Sequence, residues 1–485
     1  MVFLFFKFAA AVSLALVFAT RADGLVVNYW PFYTGERETR DADVHHRQSL
    51  GPLFFHHDGE RREIRGVRPL WITFESKERE REQFHFLYPL YNRRSDAGGV
   101  SRDLLTVVSL SRLEHGEEEE TTFRLFPFIF YRNSPDEDRN HLGFLPVAGN
   151  THNLLGFDRA SWVLFPFYIR LDKNDVVTRG HPWPFIRTVR GDETRGLHLW
   201  PIHGRVVKEG VFDRRYFVWP LGFRVRSGLD TDQPLEATGF LPFYSFSSSP
   251  AAESKTYLWP FFGYTLSQEP EYWEHRYFWP FFVQRRGDSH INRWAPFYSY
   301  SVRAGLEKTW VLWPAYRRTR WMDRDLLVER TQFFYFLYWN MSQIRPESPG
   351  DGRVVKRHLW PLFSHWNNAA GRSQTQVLSP FEVFYPSNEI IRWQYSPLFA
   401  LYRRDLDGDR VTHSLLWNLA AWGRDGDHSY FQLGPLLTVA GGGERSEFSL
   451  LGGLYGHSRA GDDRRHRLFW IPVGGSRPEA HAQTP

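Results

Sequence analysis

The stretch that decides the fold is residues 272–286, Tyr-Trp-Glu-His-Arg-Tyr-Phe-Trp-Pro-Phe-Phe-Val-Gln-Arg-Arg, which is followed by Gly287-Asp288. Polar residues lead into an aromatic centre built around one proline, and basic residues follow it. Aromatic and β-branched runs that end in Gly, Asp or Asn are typical of strands joined by tight turns. The stretch therefore predicts a β-strand with a turn after it.

The same aromatic phrase around proline recurs through most of the chain. From Pro127 to Pro314 the ten steps between prolines are 19, 20, 18, 17, 19, 22, 18, 20, 16 and 18 residues, with a mean of 18.7. A fixed period of this size indicates a repeat architecture. The copies that define the repeat best are Trp200-Pro201, Trp219-Pro220, Trp259-Pro260, Trp279-Pro280, Trp313-Pro314 and Trp360-Pro361.

Short connections between such segments favour antiparallel neighbours. The sequence therefore predicts an all-β, antiparallel up-and-down meander, and residues 23–475 hold roughly 20–24 strands at about 19 residues per strand and turn. A strand of about 14 residues is roughly 46 Å long, which is enough to cross a bilayer when tilted. We therefore expect a large β-barrel.

Proline is the main objection to a barrel, because it cannot donate to a β-ladder and is confined to edges, strand starts or bulges. The alternative is a β-sandwich or solenoid in which each proline marks a corner between two shorter strands. The backbone path at Pro260 and Pro280 separates these hypotheses. A strand that runs through each proline means a barrel, whereas a turned corner means a sandwich or solenoid.

Three parts of the chain are expected. Residues 1–22 are interpreted as a signal peptide, since Lys7 precedes an apolar core at Phe8–Phe18 and small residues follow near a cleavage point. A short membrane anchor is the alternative for this segment. Residues 23–475 form a single β-repeat domain, and residues 476–485 form a C-terminal tail.

Composition excludes several classes of protein. Of 485 residues, 17% are aromatic (20 Trp, 22 Tyr and 42 Phe), which is too many for a disordered chain. The 60 basic and 55 acidic residues nearly balance, so nucleic acid is not an expected partner. No cysteine is present, so an exported form of the chain must be stabilised by packing and hydrogen bonds instead of disulfides.

The search for chemistry is negative, and we expect no catalysis, cofactor or metal. Nucleophile-elbow, zinc-helix, phosphate-loop and dinucleotide motifs are absent from the sequence. His45-His46 and His56-His57-Asp58 offer metal-ligand types, but adjacent strand residues point to opposite faces, so exposed loop histidines are expected. Asp405–Asp409 contains carboxylates that suit calcium, although a hairpin turn explains the segment more simply.

In its repeated Trp/Tyr/Phe-Pro-aromatic strands the chain resembles uncharacterised exported bacterial proteins and, more loosely, the large outer-membrane β-barrels. No site residue is carried over from this resemblance. The signal segment, strand length and aromatic centres predict an outer-membrane-associated β-barrel with a structural or pore role and outer-membrane lipid as its partner. The alternative is a soluble periplasmic or extracellular β-repeat protein that binds a glycan, a small solute or a protein partner through aromatic surfaces.

Overall fold

The computed structural model of the chain describes residues 26–37, 44–115, 118–154, 156–348 and 352–473. The predicted signal peptide and C-terminal tail lie outside the described residues. The chain divides into two compact units, of which unit 1 is Met1–Pro89 together with Asp323–Pro485 and unit 2 is Leu90–Met322. No helix in the described ranges is long and apolar enough to span a membrane.

The described residues form 46 β-strands and a few short helical turns. Unit 1 begins with β1 Val26–Tyr29, β2 Tyr33–Arg37, β3 Val44–Ser49, β4 Phe54–Asp58, β5 Arg62–Val67, β6 Trp71–Ser76 and β7 Arg81–Phe86. Unit 2 follows with β8 Tyr91–Asp96, β9 Gly99–Leu104, β10 Val108–His115, β11 Glu118–Leu125, β12 Ile129–Asn133, β13 His141–Phe144, β14 Ala148–Leu154, β15 Phe157–Val163, β16 Tyr168–Lys173, β17 Val176–Gly180, β18 Ile186–Gly191, β19 Thr194–Leu199, β20 His203–Lys208, β21 Phe212–Phe217, β22 Gly222–Ser227, β23 Leu235–Phe240, β24 Tyr244–Ser249, β25 Ala252–Tyr257, β26 Phe262–Gln268, β27 Glu271–Phe278, β28 Phe282–Gly287, β29 His290–Trp294, β30 Tyr298–Arg303, β31 Leu306–Val311 and β32 Tyr316–Asp323.

Unit 1 resumes with the remaining strands, which are β33 Leu326–Phe333, β34 Tyr338–Ile344, β35 Val354–Leu359, β36 Phe363–Asn367, β37 Arg372–Val377, β38 Tyr402–Asp407, β39 Arg410–Leu415, β40 Ala420–Asp425, β41 His428–Leu433, β42 Leu437–Gly442, β43 Arg445–Leu450, β44 Tyr455–Ala460, β45 Asp463–Leu468 and β46 Ile471–Val473. The helical turns are a 3-10 turn at Glu137–Arg139 in unit 2 and, in unit 1, a π-helical turn at Ile391–Tyr395 followed by a 3-10 helix at Ser396–Phe399. Consecutive strands pair antiparallel within each unit, for example β21 with β22 and β38 with β39.

The backbone turns a corner at Pro260 and at Pro280, the two prolines that separate the hypotheses. Strand β25 ends at Tyr257 and β26 begins at Phe262, with Pro260 between them. Strand β27 ends before Pro280 and β28 begins after it. Each period of about 19 residues therefore holds two strands of about six residues. The expected count of 20–24 strands is wrong by about a factor of two, because a residue that cannot donate to the ladder ends a strand.

The predicted all-β antiparallel meander is confirmed, whereas the expected closure into a barrel is not found. Among the described strands, β1 pairs only with β2 and β46 pairs only with β45. The first and last strands of the meander therefore do not pair with each other, and the sheet is not closed. The alternative with proline corners fits this topology.

Hydrogen bonds in the turns show why proline is tolerated. In the turn at 218–221 the Leu221 N–H donates to the Val218 carbonyl at 2.7 Å, and the Trp219 N–H donates to the Pro201 carbonyl of the preceding proline turn at 2.7 Å. The Trp219-Pro220 peptide bond is cis. Because the proline lies in the turn, the missing N–H removes no bond from the strand ladder. The Pro201 carbonyl links its own turn to the turn at 218–221.

The two margins of the unit 2 sheet differ in their connections. In an antiparallel meander, successive connections alternate between the two margins. We call the margin formed by the connections after odd-numbered strands the proline-turn margin, and the opposite one the hairpin margin. The proline turns along it are residues 126–128, 145–147, 164–167, 181–185, 200–202, 218–221, 241–243, 258–261, 279–281, 295–297 and 312–315.

Much of the unit 2 core lies on one face of the sheet. The cross-strand register places Phe130, Gly143, Gly149 and Trp162 in one row of directly opposite residues. The Trp162 ring covers both glycines, since a Cβ atom added at Gly149 would lie 2.3 Å from that ring. Phe130 and Trp162 are both buried, and each has a glycine as its cross-strand neighbour on one side, which leaves room for the large rings.

Candidate functional site

The structure places the sequence-predicted Trp-Pro pairs in proline turns and not within strands. The tryptophans of unit 2 are substantially exposed at Trp219 (52%), Trp313 (50%), Trp259 (45%) and Trp279 (44%). Trp200 is only partly buried. The exposed aromatic side chains therefore lie along one margin of the sheet, where no strand ladder covers them.

Neighbouring turns bring these rings into contact. The ring centroids of Phe185 and Trp200 are 5.6 Å apart, and those of Trp200 and Trp219 are 6.2 Å apart. Phe261 stacks on Phe278 at 5.0 Å. These parts of the margin thus carry touching aromatic side chains, with a geometry typical of attractive ring pairs.

Trp360 of unit 1 belongs to a different environment. Its indole N–H donates to the Pro380 carbonyl at 3.0 Å, and its ring meets Phe336 edge-on at 5.4 Å. Trp360 is therefore held by the segment between β37 and β38. The sequence grouped it with the unit 2 tryptophans, but the structure does not place it on the proline-turn margin of unit 2.

Charge also distinguishes the two margins of unit 2. The segments that run from five residues before to four residues after each of the twelve prolines in these eleven turns contain no Asp or Glu. The same segments contain twelve basic residues, which are Arg124, Arg170, Arg179, Arg187, Arg205, Arg215, Arg224, Lys255, Arg276, Arg293, Arg317 and Arg318. Acidic residues lie instead in the connections of the hairpin margin, at Asp136, Glu137, Asp138, Asp175, Asp192, Glu193, Glu209, Asp230, Asp232, Glu269 and Asp288.

A second candidate site is a polar cavity of about 400 Å³ inside unit 1. The N-terminal strands β2–β4 form part of its wall, and strands β36–β41 with the helical turns form the rest. Hydrogen bonds tie these parts together. The Gln432 amide donates to the Val26 carbonyl at 2.8 Å, and the Gln394 amide donates to the Pro69 carbonyl at 2.6 Å. The cavity is therefore a fixed feature of unit 1.

Arg68 is the most deeply buried cation on the cavity wall, with 2% of its surface exposed. Its Nε donates to the Trp393 carbonyl and its Nη1 to the Pro52 carbonyl, both at 2.6 Å, and its guanidinium lies 3.8 Å from the centre of the Phe55 ring. No carboxylate of the described residues pairs with it. Burial and then the charge of Arg403 hold the pKa of Arg68 well below its ordinary value.

A β-bulge brings the histidines of the cavity together. Glu36 pairs with His46 and Arg37 with Val44, so His45 is the extra residue on β3. The His45 and His46 rings lie 5.9 and 5.7 Å from the His57 ring. The strand-alternation argument for opposite faces was wrong here because a bulge interrupts the alternation. The histidines are partly buried in strands and are not exposed loop residues.

Burial controls the protonation of these imidazoles. It lowers the pKa of His57 to about 4, with the charges of His45 and Arg62 as further causes. It also lowers the pKa of His46 well below its ordinary value, and Arg68 adds to that effect. Both rings are therefore neutral near pH 7. Within the part of the chain that the structure describes, no group of three or more His, Asp or Glu side chains is placed to hold a metal ion.

The carboxylates of the cavity differ in their partners. Asp405 accepts a bond from Arg403 Nε at 2.7 Å and another from the Gln374 amide at 2.7 Å. Glu36 has no ion-pair partner among the described residues, and burial followed by the nearby Asp405 charge raises its pKa. The backbone of Asp407 lies opposite that of Arg410 in the β38–β39 ladder, which confirms the hairpin expected at Asp405–Asp409.

Sequence reasoning missed this cavity. Its wall residues Glu36, Arg68, Trp393, Arg403 and Arg410 come from distant parts of the chain. One signal was present, because Arg68 stands before Pro69 where the repeat usually has an aromatic residue. Among known proteins, no family model matches the chain and no curated sequence is significantly similar to it.

Proposed function

We propose that this protein is an exported, outer-membrane-associated β-repeat scaffold, and that the proline-turn margin of unit 2 docks on an anionic lipid surface. The proposal includes no catalysis and no cofactor. The carrying observation is the run of exposed aromatic turns, whose immediate flanks hold twelve basic residues and no acidic ones. Six of these basic residues form ion pairs with carboxylates just outside the flanks, and the others add to the positive charge of the margin. A pore is not part of the proposal, since the sheet is not closed.

The chemistry of the margin supports lipid as the partner. Indole and phenyl rings at a sheet margin have apolar bodies suited to the boundary between lipid headgroups and acyl chains, where Trp is enriched in membrane proteins. Each basic residue near an anionic membrane surface contributes about 1 kcal/mol of attraction. The aromatic turns recur about every 19 residues and nine of the eleven have a basic residue in their flanks, so both contributions add along the margin.

The test is flotation of the full chain with lipid vesicles. We expect binding to vesicles that contain phosphatidylglycerol, weaker binding to vesicles of phosphatidylcholine alone, and loss of the difference at high salt. A chain that stays unbound with both kinds of vesicle would contradict the proposal. Binding that depends on charge but is unaffected by changes to the aromatic turns would contradict the role of the margin.

The alternative of a soluble exported protein that binds a glycan is favoured by one separate observation. The unit 1 cavity combines indole rings with charged and amide groups, a mixture that suits sugar rings and their hydroxyls. Binding of the full chain to immobilised polysaccharide without any affinity for vesicles would favour this alternative.

A further inference from the structure

We infer that the unit 1 cavity is a binding site for a small acidic sugar, with the arginines of its wall receiving the carboxylate and its indole rings packing against the sugar ring. This inference does not depend on lipid binding. It follows from the balance of charges, the chemistry of the walls and the size of the cavity.

The first step is an excess of unpaired positive charge. Arg68, Arg392 and Arg410 line the cavity, and none of them forms an ion pair with a described carboxylate. Arg68 donates only to carbonyls, Arg410 Nη1 donates to the Arg37 carbonyl at 3.0 Å, and Arg392 lies over the Trp366 ring at 5.3 Å. Arg68 is buried, whereas Arg392 and Arg410 are partly buried. A buried cation without an anion is costly, and a bound carboxylate would offset that cost.

The second step concerns the carboxylates on the same wall. Asp405 is neutralised by Arg403, and Asp407 by Arg372, whose Nε lies 3.0 Å from Asp407 Oδ1. Glu36 is the one unpaired carboxylate of the described wall, against three unpaired arginines. The cavity therefore attracts an anion, and Arg is the side chain best suited to a planar carboxylate.

The third step is the shape and lining of the cavity. Trp366, Trp393 and Trp417 supply apolar faces, and Gln374 and Thr412 supply groups that can bond to hydroxyls. A volume of about 400 Å³ lies within the range of roughly 300–1,000 Å³ typical of small-molecule sites. A bare inorganic anion would leave the indole faces unused. An acidic sugar uses the cations, the aromatic walls and the polar groups together.

The test is titration calorimetry of the full chain with glucuronate, with glucose and inorganic phosphate as comparison ligands. We expect glucuronate to bind at least about tenfold more tightly than either, since a charge-assisted hydrogen bond is typically worth a tenfold change or more. Affinity for glucose equal to that for glucuronate, or the absence of glucuronate binding, would overturn the inference. Phosphate binding as tight as glucuronate binding would mean that the site recognises small anions in general, and this result would also overturn the inference.

Variants locate the binding. Arg410→Gln should weaken glucuronate binding about tenfold or more, and Trp417→Leu should weaken glucuronate and glucose alike. Arg195→Gln in unit 2 is the matched control, since Arg195 pairs with the exposed Glu209 and is remote in sequence from the cavity wall. Unchanged thermal unfolding of each variant shows that it is folded. Equal affinity of Arg410→Gln and Arg195→Gln would contradict the assignment.

Discussion

The turns at Arg68-Pro69-Leu70 and Trp279-Pro280-Phe281 share one backbone pattern but have opposite environments. In each turn, the backbone N–H of the residue before proline donates to a carbonyl in the preceding proline turn, and that carbonyl belongs to the residue after its proline. The Arg68 N–H donates to the Leu53 carbonyl and the Trp279 N–H to the Phe261 carbonyl, both at 2.8 Å. Arg68 is 2% exposed, whereas Trp279 is 44% exposed. The repeat fixes the turn and leaves the side chain before proline free to serve an outer margin or an inner cavity.

The largest effect is expected for vesicle binding, when the exposed tryptophans of the unit 2 proline turns are replaced. Replacing Trp259, Trp279 and Trp313 together by serine should weaken binding to anionic vesicles by at least about 100-fold, because burying the exposed half of each indole contributes about 1–2 kcal/mol. Vesicle co-sedimentation measures this change. Stability should hardly change, since these rings are half exposed already.

The matched control for that variant replaces three equally exposed apolar residues away from the proline turns, Leu229, Leu266 and Met322, which are 44%, 49% and 52% exposed. Vesicle affinity should stay within about twofold of the unmodified chain, because surface substitutions outside the docking area change little. An equal loss of affinity in both triple variants would mean that exposed apolar area in general, and not the proline-turn margin, drives binding.

A reciprocal swap tests the two turns directly. Arg68→Trp restores the usual repeat phrase but leaves the Pro52 and Trp393 carbonyls without their donor, so the free energy of unfolding should fall by about 2–4 kcal/mol. Trp279→Arg should change it by less than about 0.5 kcal/mol, as for most surface substitutions. Urea unfolding of both variants measures the difference. Similar losses would show that the shared backbone pattern, and not the environment, determines the cost.

The sequence was sufficient for what repeats regularly. The 19-residue period, the all-β class and the antiparallel meander follow from local features such as Pro280 and Gly287-Asp288. Composition could not decide whether Pro280 lies inside a strand or at a corner between two strands. The deciding hydrogen bond, from Trp279 to Phe261, joins one turn to the turn before it. The cavity was unpredictable for a related reason, since Glu36 and Arg403 meet only through long-range packing.

Acid should affect unit 1 through its buried histidines. His358 is 4% exposed, neither ring nitrogen has a hydrogen-bond partner in the described chain, and burial lowers its pKa to about 4. The unfolded chain, with an ordinary pKa of 6.5, binds the proton more readily, so stability is present above pH 6.5 and is lost as the pH falls toward 4. Between pH 7 and pH 5 this loss should be about 2 kcal/mol.

The comparison variant for this effect is His358→Phe, which keeps a ring beside Trp339, whose centroid lies 5.2 Å from that of His358. Urea unfolding at pH 7 and pH 5 gives the loss of unfolding free energy between the two pH values. This loss should be smaller in His358→Phe than in the unmodified chain by about 2 kcal/mol. An unchanged pH dependence would mean that His358 is not neutral in the folded protein.

The central claim, that one margin of unit 2 meets lipid, can be tested at the two ends of a single strand. The chain has no cysteine, so one can be introduced at Phe243 in the proline turn after β23 or at Asp232 in the connection before it and then labelled with a polarity-sensitive dye. With anionic vesicles, the fluorescence of the label at residue 243 should shift to the blue while that at residue 232 stays unchanged. A shift at residue 232, or no shift at residue 243 while the protein is bound, would contradict the account.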